Sequence, residues 1–379
     1  MVINTVKAIM GAGCFALPWA FTRGGLGFTS ACMVGAGALS LYTLKAMLRA
    51  KYAAAEAGAG EAGLATYSNI AAASMGSVGG TVCDAMICVT CFGICSAYIV
   101  FMATTLATVL QPSIPAATQN ALVGALAPAM VLLSWIRDLN RLSFTSLLGN
   151  VSVAVGMSFV MFVALSQPTF AAIPLSVPSS FTSIFGSVAF LFFIHFTLPE
   201  IEHNMAEKPK FVGAVLKAFL ITGTFSAVFG AVGAVGFGPG VSSVVVAMLE
   251  GSIAAVVVKL LLVFNLAFTF PVVCRAAFLV LESYFPSVSA TGFRVLRMGF
   301  VLFAAYCGVA IPSFGRLVGL VGGVCCTALT ITLPPLMLLK ASADAKGRGQ
   351  PALVGAPEAA ALWAVCLVGL GIMALTVLA

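Results

Sequence analysis

Gly11-Ala12-Gly13-Cys14-Phe15-Ala16-Leu17-Pro18 lies in the middle of the first apolar segment, with Lys7 one turn ahead of it. Gly costs about 1 kcal/mol relative to Ala inside a helix and Pro about 3 kcal/mol, so this stretch predicts an interrupted helix. The N–H groups of Gly11, Ala12, Gly13 and Cys14 would then lie at the positive end of the half-helix that follows, where a carboxylate can be held. Glycine lets such a ligand approach the backbone closely. In hydrocarbon, freed backbone groups are tolerated only where they face protein or a water-filled cavity. An interruption beside a charge, at depth, is the arrangement of a solute site. The competing reading is a glycine-mediated helix crossing with no ligand, but a crossing requires neither the proline nor the lysine.

A second group of residues has similar chemistry. Phe190-Leu191-Phe192-Phe193-Ile194-His195-Phe196-Thr197-Leu198-Pro199-Glu200 places an imidazole, a proline and a carboxylate in an otherwise apolar run. Pro199 removes a helix hydrogen bond, and ionisable groups are rare at membrane depth. His195 is either a proton-linked switch, its unperturbed pKa being near 6.5, or a neutral histidine bonded between helices. Glu200 stands at the exit of the segment, as a gate or as a capping salt bridge with Lys208 or Arg137. No nucleophile–base pair and no metal-ligand cluster is evident, so no catalytic residue, metal or cofactor is assigned and an enzyme is not expected. Coupling to a transported proton would need no cofactor.

The elements that position these residues follow from composition. The chain has 379 residues, is 61% hydrophobic and 8% charged, and its mean hydropathy is +1.14. Soluble domains carry roughly 25% charged residues, so the fold class expected is an all-α polytopic membrane protein. Apolar stretches of spanning length number eleven: about 2–22, 26–50, 78–110, 119–136, 143–166, 180–205, 211–238, 252–284, 292–312, 314–340 and 357–379. No cleavable signal peptide is evident. Met1 is almost flush with the first span, so a hydrophilic N-terminal tail is either absent or outside this sequence.

Charge sets the orientation. With the N-terminus in the cytoplasm, Lys45, Arg49, Lys51, Arg137, Arg141, Lys208, Lys210, Lys217, Arg275, Arg294, Arg297, Lys340, Lys346 and Arg348 fall on the inner side, against Arg23 and Arg316 outside. That is a clear positive-inside bias, and it accounts for the net charge of +7 without nucleic acid as a partner. Lys7 and Lys259 fall within spans. Lys259 either pairs with Glu250 or extends its stem outward, and Asp84 reads as an interfacial residue. All eleven cysteines lie in predicted spans, so no disulfide framework follows. Cys88, Cys91 and Cys95 recur on one helical face and read as packing between helices.

The loops are short, and the longest polar stretches, 51–66 and 341–356, are too short to form domains. Residues 1–379 are therefore expected to form a single integral membrane domain. An internal echo points to its construction: Ser143-Phe144-Thr145-Ser146-Leu147-Leu148-Gly149-Asn150-Val151 opens span 5, and Ser313-Phe314-Gly315-Arg316-Leu317-Val318-Gly319-Leu320-Val321 opens span 10. The copies begin on opposite sides of the membrane, five spans apart, as in an inverted repeat of about 1–166 and 180–340 with an extra helix at 357–379. Span 1 then corresponds to span 6, and both are damaged helices.

Gly11-Ala12-Gly13 followed by Leu17-Pro18-Trp19-Ala20-Phe21, the Phe190–Glu200 run and Met205-x-x-Lys208-Pro209-x-Phe211 together resemble the amino acid/auxin permease family. Thr269-Phe270-Pro271 and Ala310-Ile311-Pro312-x-Phe314-Gly315 continue the match in order along the whole chain. The resemblance implies a LeuT-type five-plus-five fold, with spans 1 and 6 unwound around an amino acid. It also implies a secondary amino acid transporter working by alternating access. Carbonyls near Phe192 to His195 would take the substrate ammonium, and Phe190 or Phe193 would flank its side chain. The family often has a small residue where Ile194 stands.

In the family's sodium-coupled members, the level of Lys7 contributes a sodium ligand opposite a span 8 hydroxyl, here Thr269. An ammonium there would brace span 1 against span 8, release a proton to couple transport, or extend to the cytoplasmic surface. The expectation is proton coupling or uniport rather than symport with sodium. The partners expected are a small amino acid and the lipid bilayer, with the protein acting as a monomer in the plasma membrane or a vacuolar or lysosomal membrane. Export of a related amine or auxin-like acid, and a non-transporting nutrient sensor, are the alternatives.

Overall fold

The computed structural model describes residues 6, 11–60, 62–136 and 143–378; Lys7, Arg137 and Arg141 lie outside them. Among the described residues every regular element is helical. This is the form that satisfies backbone groups within one apolar segment. Among the described residues seven helices are long and apolar enough to cross a membrane: Leu26–Ala59, Tyr67–Leu110, Lys208–Gly240, Ile253–Tyr284, Ala290–Ala310, Phe314–Gly347 and Ala356–Leu378. Gln119–Ser134 and Gly149–Leu165 are shorter apolar helices. The remaining two apolar segments are the interrupted ones.

In chain order, α1 is Leu17–Gly24, α2 Leu26–Ala54, α3 Tyr67–Leu110, α4 Gln119–Ser134 and α5 Ser143–Leu165. They are followed by α6 Phe181–Phe192, α7 Leu198–His203, α8 Phe211–Phe237, α9 Ile253–Tyr284 and α10 Ala290–Ala310. Last come α11 Phe314–Leu320, α12 Leu333–Gly347 and α13 Ala356–Leu378. Wide π turns at Val321–Cys326 and Ala328–Thr332 join α11 to α12. Ser and Thr side chains set several of the starts. Thr66 accepts from Asn69 N at 3.2 Å, Ser252 from Ala255 N at 3.1 Å and Ser289 from Gly292 N at 3.1 Å, each satisfying an otherwise orphaned donor. The two echoed sequences both open helices: α5 begins at Ser143, and Ser313 caps α11 through Arg316 N at 3.4 Å.

Predicted span 3 is longer than expected. It starts at Tyr67, but Gly76 has φ 77°, a left-handed value, so the direction breaks there. The straight part therefore begins close to residue 78, where apolarity rises.

The long helix α3 packs along α9, which also carries α5, while α4 packs on α10. α1 packs on α8 and α6, and α2 on α8, α12 and α6. Where α6 meets α11 the backbones touch: a methyl added at Gly186 would overlap Gly319. Small residues permit such approach between membrane helices.

Candidate functional site

The first interruption is made by glycine. Gly11 is extended (φ −123°, ψ −166°), a 3-10 turn Ala12–Ala16 follows, and α1 starts at Leu17. Pro18 stands in the first turn of α1, where its missing N–H removes no helix bond. The proline therefore opens the second half-helix and does not cause the break. Of the four N–H groups offered by the sequence, that of Cys14 is already used, donating to Gly11 O at 3.2 Å. Those of Gly11, Ala12 and Gly13 donate to no described residue.

The second interruption mirrors the first. α6 ends at Phe192, Phe193 leaves the helical region (φ −94°, ψ 73°), and α7 restarts at Leu198 with Pro199 in its first turn. Both half-helices thus restart on a Leu-Pro pair. The carbonyls expected to be free are partly engaged. Phe192 O accepts from Ile194 N at 3.1 Å and Ser40 Oγ at 3.0 Å. Ile194 O accepts from Thr197 N at 3.0 Å and Thr197 Oγ1 at 2.8 Å, and His195 O from Leu198 N at 3.2 Å. Phe190, Leu191 and Phe193 carbonyls accept from no described donor. The acceptors on offer thus lie slightly earlier than expected and include Leu191.

The two interruptions face each other. A methyl on Gly13 would fall 2.9 Å from Phe190 Cε1, so the glycine provides close packing as well as backbone access. The positive end of the 3-10 turn and α1 meets the carbonyl end of α6, a pairing of opposite dipole ends suited to carboxylate and ammonium. The Tyr98 hydroxyl lies 4.0 Å from where a Gly11 Cβ would stand. Tyr98 was not legible as a site residue, being one aromatic in a long apolar helix. Above the breaks, Phe15, Phe101, Phe229 and Phe314 form a buried layer, with ring centroids 5.8 Å (Phe15–Phe101), 5.9 Å (Phe15–Phe229) and 5.3 Å (Phe101–Phe314) apart. Edge-on contacts of this kind contribute about 0.5–1.5 kcal/mol each beyond their buried area.

A polar ladder on α2 holds the second interruption. Ser40 bonds Phe192 O, and Thr43 Oγ1 lies 3.2 Å from His195 Nε2. Thr43 Oγ1 also reaches Leu39 O at 3.0 Å and Ser40 O at 3.1 Å. A hydroxyl has one proton. If it goes to a backbone carbonyl, His195 donates from Nε2 to Thr43 and Nδ1 is left as an acceptor. His195 is 0% exposed, and its Nδ1 has no partner among the described residues. One end of the ladder is an ion pair, Lys51 Nζ to Glu202 Oε2, with the Tyr52 hydroxyl donating to Glu202 Oε1 at 2.8 Å. Lys51 is 1% and Glu202 0% exposed. Glu200, expected at the gate, has an exposed side chain, and its carboxylate makes no ion pair among the described residues. Glu202 is thus the buried carboxylate at this end. Ser40, Thr43 and Lys51 share a face of α2, a polar stripe in an apolar helix that could have been read from spacing.

Thr269 is half-buried and bonds its own helix, Oγ1 donating to Asn265 O at 2.8 Å. Its proposed partner Lys7 lies outside the described residues. Cys88 and Cys95 line the seam between α3 and α9, Cys95 Sγ lying 3.3 Å from Cys274 Sγ. Among the described residues no group of three or more His, Cys, Asp or Glu is arranged to hold a metal. Lys259 is buried within electrostatic reach of Glu250, and Asp84 accepts from the Tyr284 hydroxyl at 2.9 Å.

The chain is similar to named proteins over most of its length. It is 26% identical over 357 residues to amino acid transporter AVT3C of Arabidopsis thaliana, covering 89% of this chain and 81% of that protein. Against amino acid transporter AVT3B of the same plant it is 27% identical over 359 residues, covering 90% and 84%. Vacuolar amino acid transporter 3 of Schizosaccharomyces pombe is 26% identical over 371 residues, which is 90% of this chain and 53% of that one. These relatives are named as transporters and not as enzymes. The family model described as transmembrane amino acid transporter protein matches residues 1–379, and the chain belongs to that family.

Proposed function

We propose that the protein is a secondary amino acid transporter working by alternating access, with the substrate held between the interruptions of spans 1 and 6. The observation that carries this reading is the facing pair of broken helices, donors on one side and acceptors on the other. The N–H groups of Gly11, Ala12 and Gly13 hold the carboxylate, with the Tyr98 hydroxyl beside them. The Phe190, Leu191 and Phe193 carbonyls take the ammonium, and the Phe190 and Phe193 rings flank the side chain. Cys14 and the Phe192 carbonyl serve as structure around the site, and His195 offers its free Nδ1 to the interior. No covalent step is needed: the substrate exchanges hydration for these groups, and helix motion exposes it to either side.

The architecture we propose is the eleven-span, five-plus-five inverted repeat in one domain of 1–379. Its support is that spans 1 and 6, 2 and 7, 3 and 8, and 4 and 9 pack against each other pairwise, as repeats related by an axis in the membrane plane would. The N-terminus is cytoplasmic, from the charge bias, and the membrane is vacuolar, by analogy with the fission-yeast relative's name. In this frame the aromatic layer closes the outer path, and the Lys51–Glu202 pair braces the inner half of span 6 on span 2. Lys7 takes the place of sodium, so transport is proton-coupled or uniport.

Uptake of labelled amino acids into proteoliposomes tests the reading. Substrate accumulation above protein-free liposomes is expected. Binding without any uptake would favour a sensor instead.

A further inference from the structure

A cavity of about 790 Å³ opens at the far end of span 1. Trp19, Arg23, Thr182, Ser313, Arg316 and Thr376 give it its polar lining, and among the described residues no Asp or Glu lines it. Its volume is within the roughly 300–1,000 Å³ of small-molecule sites. The Arg23 guanidinium sits over the Trp19 ring, 5.8 Å from the centroid. The same indole packs against the start of α11, where a methyl on Gly315 would lie 3.3 Å from it.

Neither Arg23 nor Arg316 forms an ion pair among the described residues. On the side of the membrane holding this cavity, Glu250 is the single acid of the sequence, and it lies near Lys259. Two guanidinium groups that cannot discharge thus share one cavity without a counter-charge. Like charges so placed are relieved by an anion, and the guanidinium fork matches a carboxylate with two parallel bonds. The surrounding positive field raises the local concentration of anions and lowers that of cations.

We infer that this cavity is an anion-holding vestibule in which Arg23 and Arg316 together bind the side-chain or α-carboxylate of a dicarboxylic amino acid. None of the described residues that line it belongs to the paired interruptions. The inference rests on the transport reading for the ligand's being an amino acid, and on the cavity alone for its being a carboxylate.

Trp19 reports directly on this site. Trp135 and Trp363 are exposed, so a Trp135→Phe/Trp363→Phe protein in phosphatidylcholine nanodiscs leaves Trp19 as the sole indole. L-Glutamate should change its emission saturably and L-lysine should not. Arg23→Gln with Arg316→Gln should weaken the response at least tenfold, while Arg316→Lys, which keeps the charge, should lose less. A response unchanged in the double Gln variant, equal for lysine, or matched by inorganic phosphate would overturn the inference. So would a response to phosphatidylglycerol nanodiscs that glutamate cannot displace, which would make the occupant a lipid headgroup. Gly13→Val, which drives a side chain into Phe190, should abolish uptake and leave the titration intact. A titration that persists while no variant or wild-type protein transports would retire the transport reading and keep the vestibule.

Discussion

Glu202 and Lys51 form an ion pair almost wholly removed from solvent, with Tyr52 supplying one further hydrogen bond. Truncating one partner strands the other as a buried charge, a defect that costs about 3–5 kcal/mol. At 1.4 kcal/mol per tenfold, that is on the order of 10²–10³ in an equilibrium constant. Lys51→Met and Glu202→Leu should each lower stability by that amount. The double variant should recover most of the loss, because neither charge remains and the Tyr52 hydroxyl, on a residue 36% exposed, can turn to water. Unfolding equilibria in mixed detergent micelles, followed by circular dichroism, measure all four proteins of the cycle. Single variants within about 1 kcal/mol of wild type, or a double variant as damaged as the sum of the singles, would refute the brace between α2 and α7.

Gly13→Ala places a methyl against the Phe190 ring; overpacking of this kind costs about 1–3 kcal/mol, so unfolding in mixed micelles should show a stability loss of about that size, and uptake should fall as the two interruptions are pushed apart. His195→Gln keeps a donor in reach of Thr43 but removes the unpartnered Nδ1, and uptake should fall about tenfold at a step worth 1.4 kcal/mol. Unchanged uptake would leave His195 a purely packing role. Lys7→Ala should abolish uptake while Lys7→Arg retains it if the cation braces span 1, since Arg cannot release a proton. Loss in both variants would point to proton carriage through Lys7.

Both interruptions were legible because Gly11, Gly13, His195 and Glu200 are residue types that apolar helices avoid. Their inner geometry was less so. Pro18 and Pro199 signalled disruption, yet each opens a half-helix, because a proline's cost vanishes in a first turn. Whether Glu200 or Glu202 turns inward depends on where the short α7 begins, which neighbouring residues alone do not settle. Lys51, counted among the orienting cations, is buried because Glu202, 151 residues away, offers it a partner; separations of that size carry no local signal. Ser40 and Thr43 were hidden by being small and common in membrane helices, although their shared face with Lys51 could have been noticed. Arg316, read only as an outer charge, gains meaning when the fold brings it to one cavity with Arg23.

The most direct test of the paired site is labelled amino acid uptake in proteoliposomes under imposed pH and sodium gradients, wild type beside Gly13→Val. The predicted result is saturable uptake that survives removal of sodium and is lost in the variant. Uptake that requires an inward sodium gradient, or that is undiminished in Gly13→Val, would contradict it.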